Sequence, residues 1–337
     1  MSVKMEDIAR ETGVSQATVS LALAGSPLVS EKTKKKVREA AERMGYSPNA
    51  AARSLVSRTS KTFGLIVPEI SNPYFGELAR EIAANVRKHG CNLLIATSND
   101  SHEMERDIID QFVSDRVRGV FMAPTSNNNI DMDFLYKLEK NDIRLLFVTS
   151  YYHAIKAPCV MVNLEKGSYD LVSYLLDMGH RDIYMLGADK LMMPTSSRLE
   201  GYRRAFGSRG LAVDEKKFIN CISTTFERAY SIAQQMLCEA ANIDAIVCIN
   251  DIMALGVLRA LLDSNIQVPQ QISVAGYDDV IFSSVSAIPI TTVRQDIKAL
   301  GSLAVDTLIG DNGCWHDRRY FIEPELIVRR STSKKQQ

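Results

Sequence analysis

Apolar positions follow two different rhythms along the chain. Through residue 44 they recur at helical spacing: Ile8 and Ala9, then Val19, Ala22 and Leu23, then Val37, Ala40, Ala41 and Met44 at i, i+3, i+4 and i+7. Gly13 separates the first two groups, Ser15 stands where an N-cap belongs, Ser30 opens the third group and Gly45 supplies its stop. The pattern predicts three short helices, the first two at helix-turn-helix spacing. Beyond Thr62 the apolar residues come in short runs at 63–67, 93–96, 120–123, 145–148, 160–162, 183–186, 245–249 and 272–275, with amphipathic segments such as 78–86 and 104–113 between them. Strands alternating with helices in this way predict an α/β body of parallel sheets covered on both faces.

Between the two regimes lies Ser47-Pro48-Asn49-Ala50-Ala51-Ala52-Arg53-Ser54-Leu55. A serine cap, a proline at the first helical position and a run of alanines predict a helix over about 47–56. So short a helix is marginal alone and forms when docked on something. Leu55 beside Arg53 suits a wedge pushed between base pairs from the minor groove; the alternative is a linker whose Leu55 packs on the body.

Composition sharpens this picture. The 337 residues carry 40 Lys+Arg against 40 Asp+Glu, and 46% are apolar, which suits more than one globular unit. The charges are not evenly spread. Through Thr59 there are ten Lys or Arg and six Asp or Glu, a surplus of +4 balanced by −4 in the remainder, so the head is the part that would meet an anion. Within it, Lys32, Lys34, Lys35, Lys36 and Arg38 read either as a solvated face or as groups near phosphates. The helical hairpin likewise fits a DNA reader or an ordinary helical pair, and small polar Gln16, Ala17, Thr18 and Ser20 suit a major-groove face.

The cysteines Cys91, Cys159, Cys221, Cys238, Cys248 and Cys314 have no C-x-x-C spacing and read as reduced core thiols of a cytoplasmic protein. Five isolated histidines give no metal-ligand spacing, so neither metal nor cofactor is expected. Lys4, Glu6, Asp7 and Arg10 interrupt any signal-peptide core, and no charge-free apolar run approaches the roughly 20 residues of a membrane span. No G-x-G-x-x-G follows the first strand, and neither a P-loop nor a G-x-S-x-G elbow occurs, which argues against an enzyme.

Several ordered motifs resemble the lactose and galactose repressor family of bacterial transcriptional regulators. They are Asp7-Ile8-Ala9, Gly13-Val14-Ser15, Thr18-Val19-Ser20, Tyr46-Ser47-Pro48-Asn49 and Arg53-Ser54-Leu55 in the head. In the body they are Gly179-His180-Arg181, Arg198-Leu199-Glu200-Gly201-Tyr202, the 250–256 segment Asn-Asp-Ile-Met-Ala-Leu-Gly, Gly276-Tyr277-Asp278 and the 326–331 ending. The resemblance implies a helix-turn-helix head with hinge helix over 1–59 and a two-lobed, periplasmic-binding-protein-like effector and dimerisation domain over 60–337. The N-lobe would comprise about 60–161 and 293–322, the C-lobe about 163–291 and 324–332.

Family positions carry over as follows. Ser15, Gln16, Ala17, Thr18, Ser20 and Leu21 match major-groove readers; Asn49, Ala52 and Leu55, with Arg53 beside them, match the minor-groove hinge; Ser30, Thr33 and Tyr46 match backbone contacts. Arg198, Asp278, Phe226, Asn250 and Gln295 match effector-binding positions, and Tyr74 and Phe75 offer ring faces in a loop at a strand end, where open α/β sheets hold ligands. Arg198 and Asp278 could instead be a structural ion pair, and Tyr74 with Phe75 could be core. Leu21 and Ala24 stand where the family often has polar residues, and Val162 where it usually has Asp. Met192-Met193-Pro194 replaces the polar loop of purine-sensing relatives, so a sugar or sugar derivative is expected over a purine. The expected partners are a near-palindromic double-stranded operator, a small effector and a second copy of the chain. With no leucine heptads in 331–337, dimers are expected rather than tetramers. A second possibility is a global regulator of the same fold, controlled by a phosphorylated carrier protein docking on residues 74–88, which a pull-down would reveal. A transport-binding protein is a third possibility and fits the head poorly.

Overall fold

The structure, a computed structural model, describes residues 3–23, 25–46, 60–125, 132–239, 242–310 and 316–335. Contacts divide the chain into two compact units, Met1–Ser60 and Lys61–Gln337.

In the first unit, α1 (Met5–Thr12), α2 (Gln16–Leu23) and α3 (Glu31–Arg43) enclose Ile8, Val19, Ala22, Val29, Val37, Ala40 and Ala41. The Ser15 hydroxyl accepts the Thr18 amide at 3.1 Å and that of Ser30 accepts the Thr33 amide at 3.3 Å, so both serines cap helices. Gly13 and Gly45 take φ of +66° and +64°, the left-handed conformation that ends a helix with least strain at glycine. Part of the lysine run is structural. Lys34 is buried against Glu31 at 2.7 Å, and Lys36 donates to the Thr12 carbonyl at 2.9 Å, closing the end of α1. Residues 47–59 lie outside the described residues, and with them the expected hinge helix and Asn49, Ala52, Arg53 and Leu55.

The second unit runs β1 (Thr62–Val67), α4 (Pro73–Lys88), β2 (Asn92–Thr97), α5 (His102–Ser114), β3 (Gly119–Met122), α6 (Tyr136–Lys140), β4 (Arg144–Val148) and β5 (Cys159–Val162). It continues with α7 (Leu164–Asp177), β6 (Ile183–Gly187), α8 (Met193–Gly207), β7 (Phe218–Asn220), α9 (Phe226–Glu239), β8 (Ala245–Cys248), α10 (Asp251–Asp263), β9 (Ser273–Ala275) and α11 (Ile281–Val285). Last come β10 (Thr292–Arg294), α12 (Ile297–Gly310), β11 (Arg319–Ile322) and β12 (Glu325–Ile327).

One sheet has the order β11-β5-β4-β3-β1-β2 and the other β7-β6-β8-β9, and all the pairs in both are parallel. Strand β11 rejoins the first sheet after the chain has built the second, and β10 pairs with β12 antiparallel where the chain passes between lobes. Arg294 braces that crossing, reaching Asp279 and Glu325 at 2.8 Å each. Helices α7 and α8 press together at Gly201, where a Cβ would stand 2.1 Å from the Glu165 carbonyl oxygen; only glycine allows that approach.

Each apolar run from the sequence forms a strand, whereas β7, β10, β11 and β12 had no such signal. These four are short or only partly covered, so no continuous apolar run marks them. Cys91, Cys159, Cys221 and Cys248 are buried, but Cys238 is exposed on α9, contrary to the expectation of a core thiol. Its helical phase points it away from the apolar stripe of Ala229, Ile232, Ala233 and Met236. Among the described residues no helix is long and apolar enough to cross a membrane.

Candidate functional site

A cleft of about 250 Å³ opens where the strands of both sheets end. Pro68, Glu69 and Asn72 follow β1, Asp100 follows β2, Thr149 follows β4, Ala188 follows β6, and Ile249 and Asn250 follow β8; all line it. That placement is where parallel α/β sheets leave a crevice, because their connecting loops diverge there.

A connected chain of side chains crosses the cleft. Asn72 caps α4, accepting the Tyr74 amide at 3.1 Å, and so sets Tyr74 in the first turn. The Tyr74 hydroxyl donates to Gln295 Oε1 at 3.1 Å, and Gln295 Nε2 donates to Asp278 Oδ1 at 2.6 Å. The Asp278 carboxylate stands 3.6 Å from the Arg198 guanidinium, and both side chains are only 7% exposed. Arg198 lies over the Tyr277 ring, 4.1 Å from its centroid. Asn250 caps α10, its Oδ1 accepting the Met253 amide at 2.7 Å, while its Nδ2 donates to the Thr224 carbonyl at 3.2 Å.

Burial dominates the electrostatics. It pushes the Asp278 carboxyl up to about 7, against the pull of Arg198 and the Gln295 hydrogen bond, which both favour the charged form. Arg198 is under-satisfied as well: one guanidinium nitrogen donates to the Pro194 carbonyl at 3.2 Å, but the buried Nε has no hydrogen-bond partner. Arg198 and Asp278 are therefore an ion pair and also cleft walls with unused capacity, so the two readings of the sequence coexist. A ligand hydroxyl accepting from Arg198 and donating to Asp278 would satisfy both.

Six of the seven expected effector residues are close together. Tyr74, Phe75, Arg198, Asn250, Asp278 and Gln295 line the cleft, with Phe75 edge-on to Tyr74 at 5.3 Å. Phe226 does not line it; at the start of α9 it stacks on Tyr230 at 6.5 Å, and its neighbour Thr225 takes the lining position. Sequence reasoning passed over Glu69, Asp100, Ile222 and Thr225 because isolated loop residues carry no periodic signal. It also passed over Asp251, fully buried in an apolar segment, which accepts the Thr292 hydroxyl at 2.6 Å and the Val280 amide at 2.9 Å. The signal was there: a carboxylate inside an apolar run needs partners. His180, from a family motif, is structural, pairing with the Ser333 carbonyl at 2.9 Å.

In the first unit, α2 exposes Gln16, Ala17 and Leu21, with Thr18 and Ser20 half-buried. The Ser15 and Thr18 hydroxyls are 2.9 Å apart, Ser30 is exposed, Thr33 is half-buried, and Tyr46 is half-buried against the helical core. Among the described residues no cluster of three or more His, Cys, Asp or Glu could hold a metal ion.

Comparison with known proteins agrees with this division. Residues 4–49 match the profile of bacterial regulatory proteins of the lacI family, and residues 172–332 match a periplasmic binding protein-like domain. The chain is 32% identical to the HTH-type transcriptional regulator RegA of Clostridium saccharobutylicum over 98% of this chain and all of that protein. Among solved structures, the Lac repressor bound to ONPG in the repressed state superposes with a TM-score of 0.83 at 25% identity, covering 98% of this chain and 100% of the other. The transcriptional regulator CelR in complex with cellobiose gives a TM-score of 0.72 at 25% identity over 98% and 99%.

Proposed function

The chain belongs to the lacI family of bacterial regulatory proteins, and from that premise we propose how its own residues divide the work of a DNA-binding transcription regulator controlled by a small effector. Gln16, Ala17, Thr18, Ser20 and Leu21 of α2 read base edges in the major groove, with Ser15, Ser30, Thr33 and Tyr46 holding the phosphate backbone. Asn49, Ala52, Arg53 and Leu55 take the minor groove. The effector, a sugar or sugar derivative, sits in the cleft between Arg198, Asp278, Gln295, Asn250, Tyr74 and Phe75. The observation that carries this reading is the Tyr74–Gln295–Asp278–Arg198 chain, which joins the first lobe to the second across the cleft.

An effector controls operator affinity only by binding the operator-competent and incompetent lobe arrangements unequally, and the coupling is reciprocal. A ligand replacing the Gln295–Asp278 bond would change what ties the lobes together. Typical couplings of about 1 to 3 kcal/mol suffice for a large change in occupancy. Operator titration with and without a panel of sugars tests it. Asp278→Ala and Arg198→Ala should each abolish the response while leaving operator binding in place; an unchanged response in both variants places the effector elsewhere.

The regulator acts as a dimer, and two exposed apolar stretches suit a second copy: Leu94 and Ile95 on edge strand β2, and Ile281, Phe282 and Val285 on α11. Val285→Glu should give a monomeric mass in light scattering at micromolar concentration; a dimer mass would place the contact elsewhere.

A further inference from the structure

The second-lobe side of the cleft carries the apolar side chains of Ile222, Met192 and Pro194 among the polar Thr195, Ser223, Thr224 and Thr225. Ile222 is the informative residue. It is 80% exposed, yet its φ is +65°, a left-handed conformation that β-branched side chains rarely adopt. The turn is held by the Asn220 side chain, which accepts the Ile222 amide at 2.9 Å, and by the Ser223 amide donating to the Cys221 carbonyl at 2.7 Å. Glycine or asparagine would fit that backbone better, and the exposed isoleucine gains almost no burial within the chain. Its apolar surface is useful to something that covers it from the cleft.

The charges of the cleft add a second constraint. Glu69 and Asp100 stand on the first-lobe side and Asp278 deeper, while Arg198 is the single cation among the described residues lining it and is already paired with Asp278. An anionic ligand would face three carboxyl groups and find one shared guanidinium.

We propose that the cleft takes an uncharged, hydroxylated ring bearing an apolar substituent, the ring held by Arg198, Asp278 and Gln295 and the substituent laid on Ile222, Met192 and Pro194. The inference rests on the effector reading above and narrows it: free sugars bind weakly and sugar phosphates are rejected.

The test uses the full chain and matched probes: the methyl glycoside, the phenyl glycoside and the terminal phosphate ester of each of glucose, galactose, mannose, ribose, arabinose and xylose, with affinity read by calorimetry. For the sugar that binds, the phenyl glycoside should bind about tenfold tighter than the methyl glycoside and the phosphate ester about tenfold weaker. Ile222→Ser combined with Met192→Gln should cut the phenyl advantage, read as the ratio of phenyl to methyl glycoside affinity within the same variant, to about twofold or less. An unliganded melt of that variant checks the fold. If methyl glycosides bind and Asp278→Ala removes them, but phenyl glycosides gain nothing or phosphates bind tighter, this inference falls and the effector site stands. If no probe binds, both fall.

Discussion

The Tyr74 hydroxyl and the Gln295 side-chain amide oxygen, 221 positions apart in sequence, meet at 3.1 Å and join the first turn of α4 to the segment that follows the second lobe's crossing strand. Gln295 is 5% exposed and Tyr74 4%, so the bond is shielded from water. Tyr74→Phe removes the donor and leaves a buried acceptor unsatisfied, at a cost of about 1 to 2 kcal/mol. Urea denaturation should show that loss, and operator titration should show an altered effector response. A variant as stable as the parent would mean that the lobes do not depend on this bond.

Asp278 offers a sharper contrast between two replacements. Asp278→Ala leaves the Arg198 guanidinium buried without its counter-charge, which costs about 3 kcal/mol. Asp278→Asn removes the counter-charge too, but keeps an amide oxygen that accepts from Gln295 and faces Arg198, so it should cost about 1 to 2 kcal/mol less than the alanine variant. Equal urea midpoints for the two variants would refute this account of the pair.

A second buried carboxyl sets a pH dependence. Glu105 is fully buried on α5, accepting the Tyr152 hydroxyl at 2.6 Å and the Thr125 amide at 2.7 Å, with His102 3.2 Å away. Burial raises its carboxyl to about 7; the Tyr152 and Thr125 hydrogen bonds oppose that, and nearby Asp100 adds to it. Between its ordinary value near 4.5 and about 7 the folded protein therefore holds a proton that the unfolded chain releases. Its contribution is full below the lower value and is lost as pH rises through the upper, a change on the order of 3 kcal/mol. Glu105→Gln should flatten the fall in urea midpoint between pH 5 and pH 8; an undiminished slope would assign it to other groups, of which Asp278 has the same sign.

The strained turn at Ile222 makes a prediction independent of any ligand. Asparagine tolerates the left-handed conformation, and a side chain 80% exposed has little burial to lose. Ile222→Asn should stabilise the ligand-free protein by about 1 kcal/mol and raise Tm by about 2 °C. A lower Tm would show that the isoleucine packs usefully in the free protein.

The sequence by itself determined what repeats at short range. Helical spacing at Val37, Ala40 and Ala41, caps at Ser15 and Ser30, and stops at Gly13 and Gly45 fix the head, because each is a local relation between backbone groups and residues three or four apart. The apolar strands of both sheets were legible because each is a continuous apolar run, which follows from cover on both faces for all of them but edge strand β2, whose Leu94 and Ile95 are exposed. Recurring motifs pointed to Arg198 and Asp278, yet not to their pairing.

Only the tertiary structure decided what depends on distant segments. The return of β11 to the first sheet, the burial of Lys34 and the use of Lys36 as a helix cap, the outward Cys238 and the placing of Thr225 rather than Phe226 in the cleft all follow from how elements pack. Asp278 carries an ordinary carboxyl in sequence. What sets it apart is burial beside Arg198 and Gln295, residues brought to it by helix packing and by a chain crossing, and burial is a property of the fold as a whole.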